Sequence, residues 1–283
     1  MNIFGEYTMK PREDQYISST RSTEKEKSMN DKTDDVYAND MDWGSDGVSI
    51  GSLKNYRQYQ YDLIGEHIGT NILEVGSGAS RSFTKLIVEH NPGLKRVLSI
   101  EPSEILMDAF DSKSDFKFPK TAEFQNCDVF DLDLKETGKF DTVLFIHVLE
   151  HIKEDRMALN HVHQFLEPGG KVLIEVPAIQ SLFSVHDEIL GHHRRYSKKT
   201  LKAAIDTEKY KIHRIWYNDF VGILGSFYYF KLRKVKLKDK EGEKAFNSSG
   251  AFYDKFIIPF QKNLEKVVTP PIGLSLNVIL EKI

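Results

Sequence analysis

The chain has 283 residues, a formal net charge of −3 and a hydrophobic content of 40%. This length holds one large domain or two small ones, and the slight acidity argues against a protein whose main task is to grip nucleic acid. The single cysteine, Cys127, rules out an intramolecular disulfide framework. No secretory signal and no apolar run of membrane-spanning length are present, which predicts a cytoplasmic protein.

The first 45 residues are rich in Ser, Thr, Asp, Glu, Lys and Asn and have no apolar periodicity. This composition predicts a disordered acidic leader over 1–45, followed by a folded domain over 46–283. From Asn55 onward, aromatic and aliphatic residues recur at helical spacing. A helix is therefore expected immediately before the first strand.

The stretch NILEVGSGAS at 71–80 predicts a strand and a tight glycine turn, with a helix following over 81–90. Gly76 and Gly78 allow backbone amides to approach a ligand, and the start of the helix offers unpaired N–H donors. Glu74 at the end of the strand would repel a pyrophosphate and attract the ammonium group of an amino-acid-bearing ligand.

A second strand pattern at 96–100 ends in Glu101, which is placed as an acid that accepts hydrogen bonds from both ribose hydroxyls. Together with E-x-G-x-G at 74–78, this spacing resembles the class I S-adenosylmethionine-dependent methyltransferases. The family resemblance also places an acid after the third strand, at 122–126, against the adenine amino group. It implies that the cofactor is held by residues at successive strand ends and on the leading helix: Tyr56, Glu74, Gly76, Ser77, Gly78, Glu101, Pro102, Asp128, Val129 and His147.

The stretch FDTVLFIHVLEHI contains a continuous apolar run at 143–146, as a central parallel strand buried on both faces requires. Ionisable residues follow it at the edge where open α/β sheets bind ligands. His151 is the candidate general base, because the ordinary pKa of an imidazole suits proton abstraction near neutrality. In the alternative interpretation, Glu150 and His151 only cap the next helix. His147, Glu150 and His151 also offer metal ligands, and the sequence leaves open whether a metal is used.

The run LFSVHDEILGHHRRYSKKTL at 182–201 should cover the same edge as His151. Its pattern D-x-x-x-G-H-x-R-R-Y-S resembles a bacterial, type 11/12-like subgroup of these methyltransferases. The clustering favours proton transfer by His193 and substrate binding by His192, Arg194, Arg195 and Tyr196. The structural alternative pairs one of the two arginines with Asp187 and packs Tyr196 against a helix capped by Ser197.

The remaining pattern completes the sheet and adds an insertion. A helix is expected over 155–165, a fifth strand over 169–178 after a turn at 168–170, a sixth strand over 211–217 and a last strand over 275–283. The family resemblance places the last strand antiparallel between the fifth and the sixth. Residues 218–271 form an insertion or lid, in which 221–240 pass from aromatic to strongly basic and offer a peripheral membrane contact.

These patterns predict an α/β fold with a doubly wound, seven-stranded, mostly parallel sheet and a helical insertion before the last strand. The predicted enzyme transfers a methyl group from S-adenosylmethionine to an oxygen or nitrogen of a small-molecule, sugar or natural-product acceptor. The competing hypotheses are a non-catalytic cofactor-binding protein and an NAD-dependent oxidoreductase. Glu74, and Ser80 in place of a third glycine, count against the latter. The sequence contains no signal that identifies the acceptor or the oligomeric state.

Overall fold

A computed structural model of the protein describes residues 53–113, 116–227 and 250–283. These residues form a seven-stranded sheet in the order β3-β2-β1-β4-β5-β7-β6. Neighbouring strands from β1 to β5 pair in parallel, and β7 runs antiparallel to both β5 and β6. The strands are β1 (Asn71–Val75), β2 (Arg96–Ile100), β3 (Ala122–Gln125), β4 (Phe140–Ile146), β5 (Leu166–Pro177), β6 (Tyr210–Asn218) and β7 (Ser275–Lys282).

Helices connect the parallel strands, as the βα alternation predicts. They are α1 (Lys54–Ile64), α2 (Ser82–His90), α3 (Glu104–Lys113), α4 (Leu134–Thr137), α5 (Asp155–Val162), α6 (Val185–Ile189), α7 (Lys198–Ala204), α8 (Phe220–Ser226) and α9 (Ile258–Glu265). A π-helical turn, Tyr253–Ile257, leads into α9. The predicted leader over 1–45 lies outside the described residues, and its boundary with the domain stays a prediction.

Strand β4 forms the centre of the apolar core. Phe145 packs in the larger core cluster on one face of the sheet, together with Leu73, while Leu144 packs in the second cluster with Ile72. All four side chains are 0% exposed. Each contributes about 1.5–3 kcal/mol by leaving water. The continuous apolar run at 143–146 is therefore confirmed as a strand buried on both faces.

Several sequence-predicted elements have the expected bounds. Strand β2 covers 96–100, and β7 lies between the fifth and sixth strands, antiparallel to both. Ser197 begins α7 with a capping box, since its side chain accepts a hydrogen bond from the backbone of Thr200 and the side chain of Thr200 accepts one from the backbone of Ser197. The sequence places these boundaries well because local signals determine them.

One predicted boundary was wrong. The turn expected at 168–170 lies inside β5, which begins at Leu166 because this residue already pairs with Phe140. The strand register shifts before Lys171, and Gly169 has a φ of +73°, so the glycines make an irregularity in the strand rather than a turn before it. The insertion expected over 218–271 is helical in its described part, and its residues 228–249 lie outside that part.

The chain leaves four strands at the same edge of the sheet through a left-handed backbone. Gly76 follows β1 with a φ of +78°, and His147 follows β4 with 55°. Ile179 has a φ of 64° just after β5, and Asp219 has 61° directly after β6. A non-glycine residue in this region is uncommon, and a β-branched one is an outlier. Strain of this kind concentrates at sites that a protein uses.

Asp219 fastens the insertion to the end of β6. Its Oδ1 accepts hydrogen bonds from Gly222 N at 3.0 Å and from Gln261 Nε2 at 3.2 Å, and it also accepts one from the Tyr253 hydroxyl. The carboxylate is 1% exposed. It thus caps α8 and ties α9 and the turn before it to the same point.

We expect Asp219→Ala to destabilise the protein by about 2–4 kcal/mol, because it removes a buried acceptor of three hydrogen bonds and places alanine at a positive φ. Asp219→Asn is the matched control, since asparagine keeps Oδ1 and tolerates this backbone conformation. Urea denaturation followed by circular dichroism measures both variants. Equal losses of stability in the two variants would contradict the role of Oδ1.

Candidate functional site

The glycine turn after β1 is tied to the end of β2. Gly76 N and Ser77 N both donate to Ile100 O, at 2.8 and 3.1 Å. Gly78 N donates to Glu101 Oε2 at 3.0 Å, and the buried Glu101 carboxylate also accepts from the backbone at position 103. These bonds hold the glycine turn and Glu101 in one rigid unit at the carboxyl edge of the sheet.

This unit has the properties of a ligand cradle. A Cβ at Gly78 would meet no heavy atom within 4 Å, so the space beside the turn is open. Ser77 is 8% exposed, and its Oγ is a buried polar atom without a hydrogen-bond partner in the described part of the chain. A buried polar atom without a partner needs an explanation, and a bound ligand provides one. The residues around the turn therefore fit a polar cofactor held against the ends of β1 and β2.

Glu74, the predicted partner of an ammonium group, is bonded within the protein. It is 3% exposed and accepts hydrogen bonds from Ser99 Oγ at 2.6 Å and from the Thr84 hydroxyl. Burial raises the pKa of Glu74, which the two hydroxyls partly offset. Its carboxylate stabilises the packing of α2 on β1 and β2, and contact with the cofactor stays a prediction.

The other predicted cofactor residues lie at the expected strand ends. Asp128 Oδ1 accepts a hydrogen bond from Phe130 N at 2.9 Å, and Val129 beside it is buried. Pro102 is exposed directly after Glu101. Tyr56 on α1 is 8% exposed, and burial followed by the charges of Asp219 and Glu175 raises its pKa. The Tyr56 hydroxyl therefore lies on the side of the sheet edge where the fifth and sixth strands end.

The imidazole of His147 lies between two carboxylates at the ends of β4 and β5. Its Nδ1 is 3.4 Å from Glu150 Oε1 and its Nε2 is 3.5 Å from Glu175 Oε1, and both glutamates are 0% exposed. Burial alone would lower the pKa of His147, but the two carboxylates raise it to about 9. Burial would raise the pKa of each glutamate, yet the same imidazole lowers both. At neutral pH, a partly exposed imidazolium therefore lies between two buried carboxylates.

Glu175 is a functional candidate that strand periodicity does not single out. The available signal is the charge itself, since a carboxylate inside an apolar strand must find a partner. Gln60 on α1 and Asn218 at the end of β6 are both 0% exposed. They lie beside Glu175 and contribute to its low pKa, after burial and His147. Their signal in the sequence is a polar residue on an otherwise apolar face.

His151 and His192 come together from distant parts of the chain, with ring centroids 4.6 Å apart in an edge-to-face arrangement. Burial lowers the pKa of His151 to about 4, so its imidazole is neutral at neutral pH. Asp187 Oδ1 lies 2.9 Å from His192 Nδ1 and accepts a hydrogen bond of 2.7 Å from Arg195 Nε. On its other side, His192 Nε2 is 4.0 Å from Glu150 Oε1. The loop after β5 thus places an oriented histidine against the end of β4.

Other predicted substrate contacts fasten this loop to the start of α5. Arg194 Nη1 is 2.8 Å from Asp155 Oδ2, and its guanidinium also donates to two backbone carbonyls. Tyr196 is 1% exposed and donates its hydroxyl to the same Asp155 oxygen at 2.8 Å. His193 is exposed, and its backbone amide donates to Glu150 O at 2.9 Å. Catalytic and substrate-binding roles for these side chains stay predictions.

Val148 joins the glycine turn to the histidine cluster. Its Cγ2 would lie only 2.4 Å from a Cβ placed on Gly76. Val148 directly follows His147, so the cofactor residues of β1 and β2 and the ionisable residues of β4 lie side by side. The structure therefore brings both predicted sets of residues to one edge of the sheet.

A family model described as a methyltransferase domain matches residues 35–219. This range contains the glycine turn, the acids at the ends of β1 and β2, and the histidine cluster. A similar curated protein is the tRNA U34 carboxymethyltransferase of Alteromonas mediterranea, with 24% identity over 143 residues. The match covers 48% of this chain and only 39% of that protein's length.

Solved methyltransferase structures have a similar fold. A coclaurine N-methyltransferase bound to N-methylheliamine and SAH (S-adenosylhomocysteine) gives a TM-score of 0.51 at 14% identity, over 80% of this chain and 72% of that chain. A chain of the complex between the Haloferax volcanii Trm112 methyltransferase activator and a candidate methyltransferase also gives 0.51, at 11% identity over 81% and 92% of the two chains. At such identities, the likeness shows the fold alone.

We expect Gly76→Ala to abolish binding of S-adenosylhomocysteine in isothermal titration calorimetry, because the new Cβ would collide with Val148. Gly138→Ala is the control, since Gly138 has nearly the same φ of +79° but open space around its Cβ. The control should lose only about 1 kcal/mol of stability and keep its affinity.

A second substitution separates the collision from backbone strain. In the double variant Gly76→Ala/Val148→Ala the colliding methyl group is gone, so binding should be partly restored. A double variant that binds no better than Gly76→Ala would show that backbone strain, and not the contact with Val148, disables the turn.

Proposed function

This chain belongs to the class I S-adenosylmethionine-dependent methyltransferases, and we propose that it methylates an oxygen or nitrogen of a small-molecule, sugar or natural-product acceptor. One observation supports this choice of acceptor atom. Groups that can hold or take up a proton lie beside the glycine turn: the buried Glu150 and the partly buried His147 and His151. A hydroxyl or ammonium acceptor must lose a proton when it is methylated, and a side chain at this position can receive it.

S-adenosylmethionine supplies the methyl group on a sulfonium that already carries its leaving group. The protein then has to align the acceptor, exclude water and, where the acceptor needs it, remove a proton. Gly78 and Ser77 leave room and a free hydroxyl for the cofactor, and Glu101 holds the turn in shape. The ends of β1 and β2 are therefore proposed to position the cofactor.

The charge states of the histidines support one choice of proton acceptor. His147 already holds a proton between Glu150 and Glu175, so it is a poor base at neutral pH. His151 is neutral and keeps a lone pair, which makes it the proposed proton acceptor. A pKa of about 4 makes His151 a weak base in isolation. Its effect would come from its position and from the carboxylate of Glu150 beside it.

The acceptor would be bounded by the loop after β5. Here His192 faces the site, while Arg194, Arg195 and Tyr196 hold the loop in place through Asp155 and Asp187. These side chains are proposed to shape a pocket for a small-molecule or glycan acceptor. The competing NAD-dependent oxidoreductase has no support from the family match.

Residues 221–240 carry the proposed peripheral contact with a membrane, and only 221–227 are described. Leu224 and Phe227 are 69% and 48% exposed, and Phe256 and Phe260 near α9 are 54% and 64% exposed. Among the described residues, no helix is long and apolar enough to cross a membrane. Exposed apolar residues beside a basic run favour binding at the surface of an anionic bilayer. A lid over the acceptor is the alternative use of this segment.

We expect the protein to cosediment with anionic vesicles, and replacement of Lys234, Lys236 and Lys238 by glutamate to abolish this by reversing the attraction. Leu224→Ser should weaken cosedimentation, whereas Ile283→Ser, at a residue that is 71% exposed, is the control without effect. A parent protein that stays in the supernatant with anionic vesicles would reject the membrane contact.

The catalytic proposal is tested by His151→Ala, which should lower kcat by roughly 10²-fold or more by removing the proton acceptor. The affinity for S-adenosylhomocysteine should stay unchanged. A library of hydroxyl and amine acceptors, assayed by release of S-adenosylhomocysteine, first identifies a substrate. His213→Ala, at an exposed histidine paired with Glu281 on β7, is the control. Normal turnover of His151→Ala would move proton transfer to His193 or His192.

A further inference from the structure

We propose that Glu150, His151 and His192 bind a divalent first-row transition metal ion. One donor atom from each residue lies within 4.8 Å of the other two. Glu150 and His151 sit next to each other just after β4, and His192 reaches them from the loop after β5. The donors therefore come from two segments that the fold brings together.

The buried carboxylate of Glu150 is the first argument. It is 0% exposed, and in the described part of the chain neither of its oxygens accepts a hydrogen bond. Its nearest partner, His147, is shared with Glu175, which also has Gln60 and Asn218 beside it. Glu150 Oε1 lies 3.4 Å from His147 Nδ1 and 4.0 Å from His192 Nε2, so this buried carboxylate has no close, well-aligned partner in the described part of the chain. A bound cation would satisfy it.

The orientation of His192 is the second argument. Its Nδ1 faces Asp187 Oδ1 at 2.9 Å, and this carboxylate also accepts from Arg195 Nε and from Ser184 N at 3.0 Å. Because a carboxylate only accepts, Nδ1 of His192 must carry the hydrogen. Nε2 then presents its lone pair toward Glu150. A carboxylate behind a histidine is the usual support of a metal-binding imidazole.

The distances allow a common ion after a small contraction. Two ligand atoms about 2.1 Å from one ion are roughly 3.4 Å apart at a tetrahedral angle and at most about 4.2 Å apart. His192 Nε2 and Glu150 Oε1 already lie within that limit, at 4.0 Å. The three donor atoms lie within 4.8 Å of one another, so the widest separation would have to shorten by up to about 1.4 Å to reach the tetrahedral distance.

Two imidazoles and one carboxylate select the kind of ion. Zn²⁺, Co²⁺, Mn²⁺ and Fe²⁺ accept such a mixed set, whereas Mg²⁺ and Ca²⁺ prefer oxygen alone. Three protein ligands leave coordination positions open. An ion that takes up the lone pair of His151 would replace this residue as the group that assists deprotonation. An acceptor oxygen bound to the ion would then release its proton to water more easily, and this last step rests on the proposed function.

Asp187 and Arg195 acquire a role under this proposal. They are positioning residues: Asp187 contacts the remote nitrogen of His192, and Arg195 donates to the Asp187 carboxylate. Loss of such support typically weakens metal affinity by about 10–100-fold without removing it. This gives a graded test, in which a ligand and its support should have different effects.

The test uses full-length, tag-free protein dialysed against EDTA and then titrated with Co²⁺ and Zn²⁺. Co²⁺ should produce visible d–d absorption with saturation at one ion per chain, and Zn²⁺ should displace it. His192→Ala should abolish the Co²⁺ spectrum, and Asp187→Asn should weaken binding about 10–100-fold. His213→Ala, an exposed histidine on β6, should bind like the parent. Titration with S-adenosylhomocysteine verifies that each variant is folded.

The outcomes separate this proposal from the proposed function. A parent protein that binds S-adenosylhomocysteine but shows no Co²⁺ spectrum overturns the metal site and leaves the methyltransferase assignment intact. Equal Co²⁺ binding by His192→Ala and His213→Ala overturns the assignment of ligands. A Co²⁺ spectrum that is lost in His192→Ala supports the site even if no acceptor in the library is methylated.

Discussion

The carboxyl edge of the sheet imposes the constraint on which this structure depends. Strands β1, β4, β5 and β6 all end there, and after each of them the backbone turns through a positive φ. At Gly76 the missing side chain removes most of the cost. Asp219 is of a residue type that tolerates this region, whereas His147 and the β-branched Ile179 each add strain of order 1–3 kcal/mol. The apolar strands on both sides of β4 offset this cost, so the edge can hold backbone that would not persist elsewhere.

The same edge concentrates buried charge. Glu150 lies just after β4 and Glu175 lies near the end of β5, and His147 is the cation between them. Removing one member of such a group leaves a buried charge without compensation, which costs more than the group contributes to stability. The arrangement is therefore better explained by chemistry at the site than by stability. Its place beside the glycine turn brings proton-holding groups next to the proposed site of the methyl donor.

The sequence was sufficient for the fold and for the cofactor motif, because both depend on local patterns. Apolar runs, the E-x-G-x-G turn and the spacing to Glu101 identified the strands, and the family resemblance supplied the position of β7. Side-chain partners were harder to predict. The pairing of one of the two arginines with Asp187 was the alternative to the favoured interpretation, substrate binding. The involvement of Glu175 was not predicted. Such contacts join strands and loops that are far apart in sequence, and periodicity carries no information about them.

The loop after β5 shows how much depends on those contacts. Its run of histidines and arginines looks like a uniform patch of candidate substrate ligands. In the fold, Arg194 and Tyr196 bind Asp155, and Arg195 binds Asp187. These three contacts hold the loop against the end of β4. With the loop held in this way, Nε2 of His192 is directed at Glu150. The basic residues of the loop thus contribute mainly by fixing the direction of one imidazole, and that direction determines what the site can bind.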